Sequence, residues 1–213
     1  MATFCCVFTY ICMCMFNKSH IIIIIVLFHF ACFAQTNKKI DSLIIKSLSQ
    51  ASDTSKVVTI KNILGNNFDL YKDRFDFIPS INPLNPKNLK RISSKFGKRF
   101  HPVDKRAKQH LGIDISSKIG TPVHASAAGT VIATITSNYG YGNQVVVQHE
   151  YGFVTRYAHL HSFIISKGDT LPKGKIIGFV GNSGKSTGYH LHYEIHKFDK
   201  PIDPYPFCFL DVD

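Results

Sequence analysis

Cysteine is nearly absent from most of this 213-residue chain, and the absence limits how the fold can be held together. Five of the six cysteines lie within residues 1–34, and only Cys208 follows them. If residues 1–34 are removed, the remaining chain can form no internal disulfide. Its core must then be held by packing alone, and about 180 residues are enough for one domain with an N-terminal extension.

The chain also lacks an apolar run long enough for an ordinary membrane span. The longest, residues 21–31, is shorter than the roughly 20 residues that a spanning helix needs. A lysine precedes this run and small residues follow it, which is the order of a secretory signal with cleavage after Ala34. We predict a signal region over residues 1–34, no permanent membrane span after cleavage, and export to the periplasm, the cell envelope or the exterior. Lipid attachment at Cys32 is the weaker alternative.

Residues 1–14 have no charged side chain, although they hold four of the cysteines. This composition is foreign to the start of a signal, which begins with a positive charge. We interpret residues 1–14 as translated upstream sequence, so that the true start is Met15 rather than Met1.

Acidic residues are scarce relative to basic ones. The chain has 25 lysines and arginines against 14 aspartates and glutamates, a formal net charge of +11, and only one of the lysines lies before Gln35. Such an excess favours an anionic partner, with plain solubility as an equal alternative. No nucleic-acid-binding motif accompanies the charge in a chain predicted to be exported, so an anionic envelope polymer fits better than nucleic acid.

The segment "GNSGKST", residues 181–187, resembles a nucleotide-binding loop but lacks its first glycine. Phe179 stands where G-x-x-x-x-G-K-[ST] requires glycine. The loop should also lead into a helix. Leu191, Tyr193 and Ile195 instead alternate with polar residues, which is the period of a strand. We therefore predict a polar turn before a strand, and no nucleotide site.

The order of patterns predicts a helical extension followed by a β domain. Apolar residues recur at helical spacing over residues 38–50 and again over 57–71. Three prolines, Pro79, Pro83 and Pro86, then indicate a linker. Short strands separated by glycine turns follow, with no long helix among them. We predict an extension over residues 35–88 and a mainly β domain over 89–210, an antiparallel sandwich or barrel.

Histidine is abundant in the predicted β domain, and five positions stand out as candidate metal ligands or catalytic groups: His110, Asp114, His159, His190 and His192. Alternate residues of a strand share a face, so "HLH" directs both histidines to one side, and "HLGID", if extended, does the same for His110 and Asp114. Imidazole and carboxylate ligands without thiolate suit zinc, and three protein ligands leave a fourth position for water. A single H-x-H is a weak signal.

The other histidines have simpler interpretations. We take four of them as ordinary sheet or rim residues: His124, His149, His161 and His196. Glu194 shares the parity of His190 and His192, so it is either a hydrogen-bond partner for an imidazole N–H or a solvated strand residue.

Residues 89–206 resemble the lysostaphin-type, LytM-like zinc metalloendopeptidases. The resemblance rests on "RISSKFGKRFHPVDKRAKQHLGIDISSKIGTPVHASAAGTVI", "YGYGNQVVVQHEYGFVTRYAHL" and "STGYHLHYEIHKFDKPIDPYPF", which follow one another in the family's order. It implies a compact antiparallel β fold, one zinc ion per domain, and cleavage of peptide stems in bacterial cell-wall peptidoglycan. Two departures, Tyr189 in place of proline and His161 in place of serine, bear on substrate preference.

The resemblance also implies roles for the candidate residues. His110, Asp114 and His192 match the family's metal ligands, His159 and His190 match its two catalytic histidines, and Asn143 matches a position near the cleft that contacts substrate or forms a turn. Which of the two histidines is the general base stays open. Some family members have lost ligands and activate other enzymes, so a domain that only binds peptidoglycan or activates an amidase is the alternative.

Overall fold

The computed structural model of the chain describes residues 18–85, 91–101 and 106–210. The chain divides after Ile44 into two compact units. Both candidate start residues, and the predicted boundary between residues 88 and 89, lie outside the described residues.

The extension is helical, as predicted. Helix α1 spans Lys18–Gln50 and helix α2 spans Thr54–Leu64. The Asp53 carboxylate accepts a hydrogen bond from the Lys56 N–H and so caps α2 at its start. The second helix begins earlier than its pattern indicates and ends at Leu64, after which 3-10 turns span Gly65–Leu70 and Lys72–Arg74.

Helix α1 runs through the predicted signal region without a break at Ala34. Within the described part of the chain, we find no helix with both the length and the apolar character that a membrane crossing requires. The signal, its cleavage and the attachment at Cys32 stay predictions.

The segment interpreted as a linker packs tightly against the strands. Phe75, Ile78 and Leu84 are almost fully buried. The carbonyl of Asp76 accepts a hydrogen bond from the Ala128 N–H (2.7 Å), and the carbonyl of Pro83 accepts one from the His124 N–H (2.8 Å). Three prolines prevent regular structure here. Residues 75–85 nevertheless pack against the strands and so contribute to the core of the β domain.

Within the described residues twelve strands follow, and glycine turns or short loops separate most of them. They are β1 Arg91–Ser94, β2 Gly97–His101, β3 Arg106–His110, β4 Ile113–Ser116, β5 Pro122–His124, β6 Gly129–Ile135, β7 Asn143–Gln148, β8 Phe153–Phe163, β9 Thr170–Leu171, β10 Ile176–Val180, β11 His190–Lys197 and β12 Lys200–Ile202.

Ten of these strands form one antiparallel sheet. Its main path is β1-β4-β11-β8-β7-β6-β9, while β10 pairs with β5 and β8, and β12 pairs with β11. Strands β2 and β3 form a separate hairpin. The core lies on the face of β11 and β8 that carries Leu191, Tyr193 and Tyr157, all fully buried. The predicted mainly β, antiparallel fold class is confirmed.

Candidate metal centre

Strand β11 presents its histidines on one face and its apolar residues on the other. His190, His192 and Glu194 alternate with Leu191, Tyr193 and Ile195, of which the last three are fully buried. The preceding "GNSGKST" is a loop that leads into this strand and not into a helix. Gly184 has a φ of +70°, and a Cβ there would collide with the backbone of Gly140 and Gly142, so the glycine serves close packing of two loops.

His110 and Asp114 reach the same point as His192, although the condition of one extended segment over "HLGID" is not met. His110 ends β3 in the hairpin, the chain turns at Leu111 and Gly112, and Asp114 lies in β4 of the main sheet. Asp114 is the register partner of His192. A Cβ at Gly112 would collide with the Tyr193 carbonyl oxygen and lie 2.9 Å from Glu194 Cγ. The turn therefore depends on glycine at this position.

The three predicted ligands converge in the structure. His110 Nε2 lies 3.2 Å from Asp114 Oδ1 and 3.1 Å from His192 Nδ1, and His192 Nδ1 lies 2.8 Å from Asp114 Oδ1. All three residues are buried, and their ligand atoms lie within 4.8 Å of one another. Among the described residues, this is the group whose geometry suits a metal ion.

The hydrogen bonds behind the two imidazoles show that the group fits a cation. His110 Nδ1 lies 2.7 Å from the Lys95 carbonyl oxygen, and His192 Nε2 lies 3.0 Å from Glu194 Oε1. Oxygen acceptors at these positions place the ring protons there, so the opposite ring nitrogens carry lone pairs. Two imidazole lone pairs and a carboxylate oxygen then face one another, which is stable only with positive charge between them. Two histidines and an aspartate are a ligand set that zinc prefers.

The pKa shifts of His192 and Asp114 also show that the centre favours positive charge. Burial alone lowers the pKa of His192, but Asp114 and Glu194 raise it above the ordinary value. Burial alone raises the pKa of Asp114, but hydrogen bonds with His110 and His192 hold it well below its usual range.

The sequence left two interpretations of Glu194 open, a hydrogen-bond partner of a histidine or a solvated strand residue, and the structure shows the first. It is almost completely buried. Its carboxylate accepts hydrogen bonds from the Tyr141 hydroxyl (2.6 Å) and from His196 Nε2 (2.8 Å) in addition to His192, and Arg156 Nε lies 3.2 Å from Oε2. Burial raises the pKa of Glu194, but these partners hold it well below its ordinary value. An ionised carboxylate thus fixes the orientation of His192, and His196 is part of this network rather than an ordinary rim residue.

His159 enters the site through a β-bulge. Asn143 pairs with Leu160 while Val145 pairs with Tyr157, so β8 has one extra residue opposite β7, and His159 has a φ of +58°. Bulges of this kind redirect side chains. Without it, Tyr157 and His159 would share a face, but Tyr157 lies in the core and the His159 ring lies 4.8 Å from that of His190. A glycine at position 159 would have indicated a left-handed backbone and hence a bulge, but the residue there is histidine.

Both predicted catalytic histidines are held from behind by backbone carbonyls. His159 Nδ1 lies 2.7 Å from the Ser183 carbonyl oxygen, and His190 Nδ1 lies 2.8 Å from that of Gly188. Their Nε2 atoms are thus left for other partners, and that of His190 lies 3.6 Å from Asp114 Oδ1. Burial, followed by the charge of the His190 ring, lowers the pKa of His159 to about 4.

Asn143 ties loops together. Its side-chain Oδ1 accepts a hydrogen bond from the Ser137 N–H (3.2 Å), and its Nδ2 donates to the His161 carbonyl oxygen (3.1 Å). The contact with substrate predicted for Asn143 stays a prediction. Of the remaining histidines, His149 is buried in the core and His161 is exposed.

A cavity of about 300 Å³ opens onto the centre. Its walls come from the β2–β3 hairpin, from the loops around Gly140 and Lys185, and from β8 and β11. The lining includes Arg99, whose Nη2 lies 3.2 Å from Asp114 Oδ2. No motif in the sequence distinguishes Arg99 from the other basic residues near it.

A family comparison agrees with this geometry. The model of peptidase family M23 matches residues 108–204. The catalytic domain of lysostaphin from Staphylococcus simulans is 32% identical, with 55% of this chain and 91% of that domain covered and a TM-score of 0.50. This chain belongs to peptidase family M23. The M23 family is a family of zinc metallopeptidases.

Two further relatives extend the comparison. Peptidoglycan DD-endopeptidase ShyA of Vibrio cholerae is 45% identical over 114 residues, which cover 53% of this chain and 26% of ShyA. A solved structure described as a zinc-containing peptidase from Vibrio cholerae is 36% identical, covers 57% of this chain and 37% of its own, and has a TM-score of 0.54. The M23 chain described here therefore spans about a quarter of the length of ShyA.

Proposed function

We propose that this M23 chain is an exported zinc metalloendopeptidase that hydrolyses peptide cross-links of bacterial cell-wall peptidoglycan. The observation that carries the proposal is the convergence of two imidazole lone pairs and a carboxylate oxygen at the floor of an open cavity. The names of the relatives support the substrate, since ShyA is a peptidoglycan DD-endopeptidase.

In this proposal His110, Asp114 and His192 hold the zinc ion. When bound, zinc acts as a Lewis acid that polarises a carbonyl group and makes water more acidic. Lys95 and Glu194 keep the two ligand imidazoles in the tautomer that offers a lone pair to the ion.

His159 and His190 share the two remaining roles, proton transfer and stabilisation of the oxyanion. One imidazole takes a proton from the attacking water and passes it to the leaving amine nitrogen, and the other hydrogen-bonds the oxyanion that develops on the carbonyl. The low pKa of His159 keeps that ring neutral near pH 7, with Nε2 able to accept a proton. This favours His159 for the first role and leaves His190 for the second.

A digest of purified peptidoglycan sacculi with the full chain tests the proposal. We expect soluble muropeptide fragments whose masses show cleavage of peptide cross-links, about one zinc ion per chain, and loss of both after treatment with a chelator. Stoichiometric zinc without released fragments would instead favour a domain that only binds peptidoglycan or activates an amidase. Full activity in the presence of the chelator would contradict the zinc mechanism.

A further inference from the structure

The cavity carries more positive charge than the proposed chemistry uses. Three cationic side chains line it, Arg99, Lys108 and Lys185, against the single carboxylate of Asp114. We call these three residues the cationic wall. A bound divalent ion adds to the same sign of charge, so the cavity attracts an anionic group of the substrate.

Arg99 lines this cavity and has donor capacity that is not used within the protein. One guanidinium nitrogen, Nη2, bonds Asp114 Oδ2 at 3.2 Å. Its Nε is buried and has no hydrogen-bond partner among the described residues. A guanidinium presents its donors as a planar fork that matches a carboxylate. A buried Nε–H without an acceptor is costly, and a substrate oxygen would remove that cost.

The hairpin places two positive charges side by side. Arg99 and Lys108 are direct register partners in the antiparallel β2–β3 pair, so their side chains leave the hairpin on the same face. Like charges directly opposite one another destabilise a strand pair. An anion bound beside them offsets this repulsion.

The third cation comes from a different part of the chain, the loop before β11. Lys185 follows Gly184 in the loop before β11, and its backbone N–H donates to the Gly140 carbonyl oxygen at 2.8 Å. The backbone of Lys185 is thus held in place while its exposed side chain lines the cavity. All three residues of the cationic wall thus line the same cavity as the three candidate ligands.

We propose, on the basis of the proposed function, that the cationic wall binds a free carboxylate next to the scissile amide. Two kinds of cross-link differ at this point. A cross-link from D-alanine to diaminopimelate carries a carboxylate on the carbon bonded to the scissile nitrogen. A glycine bridge has a neutral amide in that place. The cationic wall thus selects the first kind, with Arg99 as the specificity-determining residue.

The reaction itself stays a hydrolysis. Water adds its oxygen to the D-alanine carbonyl carbon, the C–N bond breaks, and the nitrogen leaves with a proton. The products are a new D-alanine carboxylate and an ammonium group that still bears the neighbouring carboxylate. No oxidant, reductant or further reactant is needed.

Two purified muropeptide dimers that differ in one group provide the test. In one the carboxylate next to the scissile nitrogen is free, and in the other it is a carboxamide. For the zinc-loaded full chain we expect kcat/KM to be about ten- to a hundredfold higher for the free carboxylate, mainly through KM. In Arg99→Gln we expect this preference to fall to about twofold, and in Lys108→Gln and Lys185→Gln to fall in part.

Lys167→Gln is the matched control. Lys167 is exposed and does not line the cavity, so the same loss of charge should leave the preference as it is in the unchanged chain. Zinc content is measured for every variant, because Arg99 also contacts Asp114. If Arg99→Gln loses zinc, the two lysine variants decide the test.

The outcomes separate the two proposals. Equal cleavage of both dimers by the unchanged chain, or a preference that survives in Arg99→Gln and both lysine variants, overturns the role of the cationic wall while the proposed function stands. Cleavage of a glycine-bridged dimer in preference to both also overturns it. If a zinc-loaded chain cleaves none of the three, the proposed function fails and this inference fails with it.

Discussion

The two faces of strand β11 bury polar groups in opposite ways. On the core face, the Tyr193 hydroxyl donates to Ser126 Oγ at 2.7 Å, and Ser126 is bonded to the Tyr157 hydroxyl, so each group finds a neutral partner. On the site face, the lone pair of His192 Nδ1 faces that of His110 Nε2 and the Asp114 carboxylate oxygen Oδ1. Buried polar groups are stable when donors and acceptors match. On the core face of β11 each of these buried donors has an acceptor, whereas on the site face acceptors face one another. This difference distinguishes a binding site from a packed core.

The largest effect should follow from removing a ligand on the site face. His192→Ala takes away one of the two imidazole lone pairs and the shortest contact of Asp114, so we expect loss of stoichiometric zinc and of peptidoglycan cleavage together. Metal analysis and the sacculus digest measure both. Tyr193→Phe, on the core face of the same strand, is the matched control: it should lower the free energy of unfolding by about 1–2 kcal/mol through a lost buried hydrogen bond, and zinc should stay bound. Retention of zinc by His192→Ala would invalidate the ligand assignment.

The next largest effect should separate the metal from the contact with the oxyanion. His190→Ala should retain zinc, because the three ligand atoms converge without it, and should lower kcat by about 10²–10³-fold, the usual cost of removing one oxyanion donor. Zinc content and turnover on one purified muropeptide dimer are the two measurements. If His190→Ala loses zinc and His192→Ala keeps it, the two histidines of "HLH" have exchanged roles.

A smaller effect should come from the charge behind His192. Glu194→Gln keeps an oxygen that can accept from His192 Nε2 but removes the negative charge, so we expect the affinity for zinc to fall by about 10–100-fold. Competition with a chromogenic chelator measures the affinity without any need for activity. Glu150→Gln, at an exposed glutamate, is the control, and an equal affinity in both variants would contradict the role of Glu194.

The smallest effect concerns His149, a buried imidazole that belongs to the core. Its Nε2 lies 2.8 Å from Thr155 Oγ1, and Thr155 bonds the Tyr157 hydroxyl. Burial lowers the pKa of His149 from 6.5 to about 4. Between these pH values the unfolded chain binds a proton at this residue and the folded chain does not, so stability rises with pH across this window and levels off above it.

Urea unfolding at several pH values measures this contribution. We expect His149 to account for a loss of about 2 kcal/mol between pH 7 and pH 5. The same comparison with His149→Gln should show a shallower pH dependence, because glutamine does not titrate. Parallel pH profiles for the two proteins would show that His149 does not titrate differently in the folded state.

The sequence predicted the site best where local geometry alone determines it. Alternation in β11 placed His190 and His192 on one face, and the fold class followed from strand length and glycine turns. The resemblance supplied the ligand roles, and in the structure those three residues lie together.

The sequence was least informative where backbone irregularity or distant partners matter. The bulge that turns His159 into the cavity occurs at a residue that normally avoids a positive φ, and the turn at Gly112 takes the place of one extended segment over "HLGID". The Lys95 carbonyl reaches the centre from the link between β1 and β2, and the Arg99 side chain reaches it from a hairpin outside the main sheet. Such contacts depend on tertiary pairing, which residue spacing does not encode.

The turn between β3 and β4 has a consequence for how sequence variation in this chain is interpreted. Gly112 is not one of the three candidate ligands and does not line the cavity, yet any side chain there would collide with the Tyr193 carbonyl oxygen and disturb the turn that brings His110 and Asp114 together. A survey of tolerated substitutions would therefore rank this glycine among the most sensitive positions, beside the ligands themselves. The intolerance of position 112 to substitution would reflect the lack of space for a side chain and not a chemical role of the residue.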